Sequence, residues 1–339
     1  MSLALPQRFG WIGLGAMGYP MAVQLRRKIP NSSELCIFDV NQSVLQRFQQ
    51  EEGDFGPIRV ASKAKEVAEK SDFIISIVPE GIHVKEVYLH PEDGLLAAED
   101  TSAKIFVDWQ VSKYSHHGLI SHSSFISSTI DPATSLAVGR AVHASHPATP
   151  SKFYDAPVSG GTAGASKAIL TFMVGAAPDD PIFPLLQEIF SYMGTSIHPL
   201  GGPSLGLAAK LSNNYLSGMI ALATAEAMNL GMRLGLDSKV LSNCFAISSG
   251  GSWVNSTVNP VPGVCPDAVT SKGYEGGFKV QLMKKDMSLA MDAARKVGAK
   301  LVLGDAGLSA YSAAAEDPRF RDKDSRVVYR WLGGVEPNQ

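Results

Sequence analysis

The sequence predicts an α/β N-terminal domain built on a doubly wound, mainly parallel sheet, followed by an all-α C-terminal domain. Three observations carry this expectation: short apolar runs alternate with helical patterns up to about residue 175, a glycine-rich turn follows the first run, and strand signals stop near residue 200. At 339 residues the chain is longer than one compact domain usually needs, and 45% hydrophobic content is enough for two cores. The domains are expected at 1–198 and 199–339.

The strand candidates are "FGWIGLG" (9–15), "ELCIFD" (34–39), "DFIISIVP" (72–79), "KIFVD" (104–108), "KFYDAPV" (152–158) and "LTFMVG" (170–175), most of them ending in Gly, Asp or Pro. Helical patterns separate them, as parallel strands require. The second domain begins near "GLAAKLSNNYLSGMIALATAEAMNLGMRLGLD", a long helix by its periodicity, and the chain ends in "GGVEPNQ", which reads as frayed. A formal net charge of −2 offers no basic field for a phosphate backbone, so nucleic acid is not an expected partner. Three cysteines, Cys36, Cys244 and Cys265, are odd in number and lie far apart without metal-ligand spacing. No metal site is expected, and a reducing compartment fits. No apolar run reaches the length of a membrane span.

"GLGAMG" (13–18) directly follows the first apolar run and precedes a helical pattern. Gly13 permits the tight turn, Gly15 lets backbone approach a pyrophosphate, and Gly18 allows a helix to pack closely on the strand. Leu14, Ala16 and Met17 complete the turn, whose helix N-terminus offers unpaired N–H groups to phosphates. A plain glycine turn is the competing reading. The second apparent strand ends in Asp39, where a carboxylate can bind both ribose hydroxyls and repel a 2′-phosphate, and residues 39–42 contain no arginine. The expected cofactor is therefore NAD rather than NADP, bound by a Rossmann-type domain.

In "DAPVSGGTAGA" (155–165), Ser159, Gly160 and Gly161 end an apolar run, and paired glycines allow successive N–H groups to converge on an anion such as a carboxylate. A flexible loop is the simpler alternative. In "KLSNN" (210–214), Lys210 and Asn214 are four apart and share one helical face. Their neighbours Leu207, Ala208, Ala209, Leu211, Leu216, Met219 and Ile220 leave little of that helix wet, and a buried ammonium needs partners or a lowered pKa. Lys210 is thus a candidate proton donor and acceptor, against a solvated helix face as the alternative.

"GLGAMGYPMA", "DAPVSGGTAGA", "GLAAKLSNN" and "LMKKDMSLA" together resemble the four signature segments of the β-hydroxyacid dehydrogenase family. "SSTIDPATS" (127–135), "TAEAMNLGMRLGLD" (224–237), "SSGGSW" (248–253) and "NPVPGV" (259–264) resemble its members that act on 3-hydroxyisobutyrate. The resemblance implies an NAD-linked, reversible oxidation of 3-hydroxyisobutyrate to methylmalonate semialdehyde in valine catabolism. It also implies a helical C-terminal domain that pairs with another subunit in a homodimer or homotetramer, and a mitochondrial location, although the start "MSLALPQRFG" shows no presequence and leaves the cytoplasm as the alternative. Carried over by position, Lys210 and Asn214 are catalytic, Ser159, Gly160 and Gly161 hold the substrate carboxylate, and Trp253 walls the substrate pocket. Trp253 reads equally as a core aromatic. Val78, Pro79, Thr129 and Lys285 join the cofactor site.

Two departures stand out. His83 falls where relatives tend to have a cofactor-contacting asparagine. Residues 109–126, "WQVSKYSHHGLISHSSFI", interrupt a stretch that is continuous in relatives. Their histidines lack nearby carboxylates or cysteines, so no metal site is expected; the serine-rich composition reads as an inserted loop, and "QVS" is what a CAG-GTA-AGT splice donor encodes, which makes a translated intron the second reading. Other readings of the whole chain are a sister enzyme acting on tartronate or succinic semialdehyde, an imine reductase, in which the lysine is usually replaced, and a catalytically silent, cofactor-binding interaction protein.

Overall fold

Five short apolar segments of the first 160 residues hydrogen-bond into one parallel sheet, joined by a sixth strand that the pattern does not announce. The computed structural model describes residues 4–109 and 132–337. Its strands are β1 (Arg8–Ile12), β2 (Glu34–Phe38), β3 (Ile58–Val60), β4 (Phe73–Ser76), β5 (Ile105–Asp108), β6 (Lys152–Asp155), β7 (Val158–Ser159), β8 (Leu170–Val174) and β9 (Gly194–Pro199). The first six form a wholly parallel sheet in the order β3-β2-β1-β4-β5-β6. This order reverses next to β1, which leaves a crevice beyond the strand ends where ligands of such folds bind.

The central strands are buried on both faces: all four residues of β4 and the last four of β1 are inaccessible. Helices cover a parallel sheet on both sides, so its inner strands tolerate no alternation of apolar and polar residues. Helix Gly18–Lys28 follows β1, and helix Gln42–Glu52 follows β2, with the Asn41 side chain accepting from the Ser43 N–H as an N-cap.

Three details differ from the sequence expectation. The run 152–158 is cut at Ala156-Pro157 into β6 and β7, because proline cannot donate to a ladder. β7 then opens a second, three-stranded sheet, antiparallel to β8, while β8 and β9 are parallel. The third difference is two unforeseen strands: β3, whose three residues place Arg59 between two half-buried aliphatics, and β9, whose Thr, Ser and His residues mask its pairing.

By contacts the chain divides into two compact units, Met1–Lys210 and Leu211–Gln339. The second is helical, formed by the remainder of helix Leu205–Arg233 with helices Ser238–Ile247, Trp253–Val258, Val280–Val297, Gly304–Glu316 and Val328–Trp331. Its core gathers Met219, Ala225, Met228, Met283, Met287, Tyr311 and Tyr329. Gly218 lets Met283 approach, since a Cβ there would lie 2.7 Å from its sulfur, and the Tyr311 hydroxyl donates to the Gly218 carbonyl. Leu216, expected in the buried stripe of the long helix, is 56% exposed.

Thr129 and residues 110–126 of the atypical segment lie outside the described residues. Trp109, the first residue of that segment, is fully buried, and its N–H continues the sheet by donating to the Ser76 carbonyl. Its ring packs on Trp11 at 5.3 Å and on Phe172 and Phe190 at 5.2 Å, joining the large sheet to the small one. Its indole N–H has no hydrogen-bond partner among the described residues. Trp109→Ala is therefore expected to cost about 3–5 kcal/mol, and Trp109→Phe less, because phenylalanine removes an unsatisfied donor; urea unfolding followed by far-UV circular dichroism measures both.

Candidate functional site

The turn after β1 is built by the glycines that the motif supplies. Gly13 has φ +96°, and a Cβ on it would meet the Ile77 carbonyl at 2.2 Å. A Cβ on Gly18 would lie 2.0 Å from the Gly13 carbonyl, so only glycine lets helix Gly18–Lys28 begin this close to the strand. The Trp11 indole donates to the Gly13 carbonyl at 2.9 Å and holds the turn from below.

Asp39 follows β2 and faces the same turn. Its Oδ2 accepts from the Leu14 N–H at 2.6 Å and its Oδ1 from the Asn41 N–H at 2.8 Å. Each oxygen keeps a second lone pair, so the carboxylate is fixed in place yet still able to accept from a diol. A cavity of about 420 Å³ opens here, lined by Gly13, Gly15, Ala16, Met17, Gly18, Asp39, Val78 and Pro79. These are eight of the cofactor positions expected from the sequence, with Leu14 tied to them through Asp39.

The cavity continues over residues that sequence reasoning missed, Lys63, Glu86, His90 and Asp93, and over His83, which the sequence had marked as a departure from its relatives. Lys63 follows β3, and an unrecognised strand hides the loop at its end. The Lys63 ammonium donates to Asp93 Oδ1 at 2.8 Å, which holds the Asp93 carboxyl below its usual range. The described wall thus carries three carboxylates, Asp39, Glu86 and Asp93, against one lysine already engaged.

Ser159, Gly160 and Gly161 lie on the small sheet and the turn after it. Gly160 and Gly161 have φ +130° and +64°, a backbone path that side-chain-bearing residues rarely follow. All three residues are exposed. Lys210, by contrast, is only 4% exposed, and its Nζ donates to the Val158 carbonyl at 2.8 Å. Val158 immediately precedes Ser159, so the structure brings the lysine to the base of the serine-glycine-glycine turn.

Asn214 sits one turn further along the same helix. Its Nδ2 donates to Asp286 Oδ2 at 2.6 Å, which turns the amide oxygen away from that acid and leaves it as the acceptor. Lys285 Nζ lies 3.5 Å from Asp286 Oδ1. Asp286 was missed by sequence reasoning, though it adjoins Lys285 in "KKD"; a buried acid between an amide and an ammonium is visible only in three dimensions. Trp253 is 62% exposed at the start of its helix and is no core aromatic. The structure gathers the cofactor positions from Gly13 to Gly18 with Asp39, Val78 and Pro79 around one cavity, the lysine with the serine-glycine-glycine turn, and Asn214 and Lys285 around Asp286; Lys285 does not line that cavity, and Thr129 lies outside the described residues.

Comparison with known proteins identifies this arrangement. A family model described as the NAD binding domain of 6-phosphogluconate dehydrogenase matches in two pieces, 8–124 and 114–202, which overlap within the atypical segment. A second, described as the NAD-binding domain of NADP-dependent 3-hydroxyisobutyrate dehydrogenase, matches 205–332. Mitochondrial 3-hydroxyisobutyrate dehydrogenase of Mus musculus is 36% identical, with 99% of this chain and 90% of the relative covered. The chain belongs to the β-hydroxyacid dehydrogenase family. NAD-dependent L-serine dehydrogenase of Pseudomonas aeruginosa is 34% identical over 96% of this chain and 97% of its own. The solved structure of Mycobacterium tuberculosis 3-hydroxyisobutyrate dehydrogenase with L-serine aligns with a TM-score of 0.78 at 29% identity, covering 97% of this chain and 99% of that one.

This β-hydroxyacid dehydrogenase is thus an oxidoreductase that uses a nicotinamide dinucleotide. The residues present fit that group: two glycine seats that a Cβ would fill and an oriented carboxylate line one cavity. Gly18→Ala is expected to weaken NADH binding at least about tenfold, roughly 1.4 kcal/mol, because backbone must shift to admit the methyl; NADH fluorescence titration measures the change.

Proposed function

We propose that this enzyme catalyses the NAD-dependent, reversible oxidation of 3-hydroxyisobutyrate to methylmalonate semialdehyde in valine catabolism. The observation that carries the reading is the buried Lys210 ammonium at the Val158 carbonyl, one residue before the turn suited to a carboxylate. Bound NAD supplies the hydride acceptor for the alcohol carbon. Lys210, with a proton shed, takes the hydroxyl proton during oxidation and returns one to the developing alkoxide during reduction. Backbone N–H groups of Ser159, Gly160 and Gly161 hold the substrate carboxylate, so both the carboxylate and the hydroxyl end of the acid are fixed and one hydrogen faces the cofactor. Asn214, its amide oriented by Asp286, presents an acceptor to the hydroxyl or to the lysine. Lys285 contributes to the cofactor side and Trp253 to the substrate wall.

NAD is favoured over NADP by the charge of the cavity wall, where Asp39, Glu86 and Asp93 repel a 2′-phosphate and Lys63 is held by Asp93. A second reading is favoured by the serine dehydrogenase relative. L-Serine and 3-hydroxyisobutyrate differ only in bearing an ammonium or a methyl group at C2, so the same lysine and carboxylate nest serve either acid. A panel of 3-hydroxyisobutyrate, L-serine, tartronate semialdehyde and succinic semialdehyde, assayed by NADH absorbance, decides between them; no turnover of any panel member refutes the proposal. The proposed setting is mitochondrial. The proposed assembly is a homo-oligomer, consistent with the exposed Leu230, Leu234, Val240 and Ile247 of the helical unit.

Lys210→Ala is expected to keep NADH affinity and lose about 10²–10⁴-fold in kcat. Asp39→Asn removes a fixed charge near the ribose and is expected to raise kcat/KM for NADP relative to NAD by about tenfold; steady-state kinetics with both cofactors reads the ratio.

A further inference from the structure

The loop preceding Lys210's helix is anchored by a carboxylate that the mechanism does not use. Asp155 ends β6 and is 1% exposed. Its Oδ1 accepts from the Ser204 N–H at 2.6 Å and its Oδ2 from the Leu207 N–H at 2.9 Å, so both oxygens sit on the first turn of helix Leu205–Arg233. This is the work of an N-cap, performed by a strand 49 residues away in sequence. Burial pushes the Asp155 carboxyl up, while the N–H groups of Leu207 and Ser204 pull it down.

The seat is shaped for the carboxylate. A Cβ on Gly175 would lie 1.9 Å from Asp155 Oδ1, and one on Gly206 would lie 2.8 Å from Oδ2. Two glycines therefore clear the space that the acid occupies. Ser204 has φ +63°, and its hydroxyl donates to the Pro132 carbonyl, which fixes the chain entering the helix.

Asp155 and Val158 belong to one short stretch, and that stretch holds the helix twice. Asp155 takes its N-terminus at Ser204 and Leu207, and the Val158 carbonyl takes the Lys210 ammonium one turn later. A one-residue slip of an α-helix moves a side chain about 1.5 Å along the axis and turns it about 100°. Without the first tether, the helix start loses the hold that sets its register against this stretch.

We infer that Asp155 is a positioning residue for Lys210, fixing the height and rotation of the lysine beside the Ser159-Gly160-Gly161 turn. This rests on the proposed role of Lys210 as proton donor and acceptor. Asparagine at 155 keeps one acceptor and sets an N–H₂ against the other backbone donor, so it preserves half the anchor, while alanine removes all of it.

The test compares full-length Asp155→Asn, Asp155→Ala, Lys210→Ala and the double variant Asp155→Asn/Lys210→Ala, with 3-hydroxyisobutyrate and L-serine as substrates. Thermal melts set an assay temperature well below unfolding, and NADH titration reports the cofactor site. In Asp155→Asn, kcat is expected to fall about tenfold, and in Asp155→Ala about a hundredfold, as a misplacement near 1 Å implies. NADH affinity should stay within about twofold, since the anchor acts on the lysine rather than on the cofactor cavity. Because the effect runs through the lysine, Asp155→Asn should slow Lys210→Ala no further. Wild-type kcat in a folded Asp155→Asn, or an equal loss in both backgrounds, overturns the positioning role. If Asp155→Ala does not fold, Asp155→Asn and the double variant decide. Near-wild-type turnover in Lys210→Ala sinks the lysine assignment instead, which separates the two failures.

Discussion

A lysine ammonium held out of water is the constraint around which the first unit is organised. An unpaired buried ammonium is costly, so Lys210 requires an acceptor, and the Val158 carbonyl supplies it at 2.8 Å. That carbonyl exists where it does because Pro157 ends the large sheet and sends the chain into the small one. The serine-glycine-glycine turn follows at once, with positive φ at both glycines. Break, turn and lysine therefore form one unit of design, and the proposed proton transfer and carboxylate binding depend on their staying in register.

The cavity at the glycine turn obeys a different logic, in which charge matters more than burial. Asp39 is locked by two backbone N–H groups, so its negative end is fixed before a ligand arrives. Glu86 and Asp93 extend that field along the wall, and the Lys63–Asp93 pair occupies the cation that a 2′-phosphate would seek. The same turn geometry suits either nicotinamide dinucleotide; in the proposed reading the sign of the field on this wall discriminates between them.

Much of this was legible in the residues. Gly13, Gly18 and Asp39 could be read from spacing because their roles are local: a turn, a close crossing and a strand end. Lys210 and Asn214 could be read from helical periodicity, which sets them on one face. β3 and β9 escaped because a three-residue strand with a central arginine, and one rich in Thr, Ser and His, carry almost no apolar signal. With β3 unseen, Lys63 was unseen too. Trp109 read as the start of an atypical segment, yet it packs among Trp11 of the large sheet, Phe172 of the small one and Phe190 of helix Phe183–Ser191.

By itself the sequence determined the fold class, the order of the signature segments and the types of residue available for chemistry, since these follow from periodicity and short-range spacing. Tertiary structure alone decided which groups meet: Asp155 with the start of a helix some 50 residues on, Asn214 with Asp286 across 72 residues, and Lys210 with a carbonyl 52 residues back. Pairing over such separations depends on how the intervening strands and helices stack, and no local pattern encodes the partner of a buried charge.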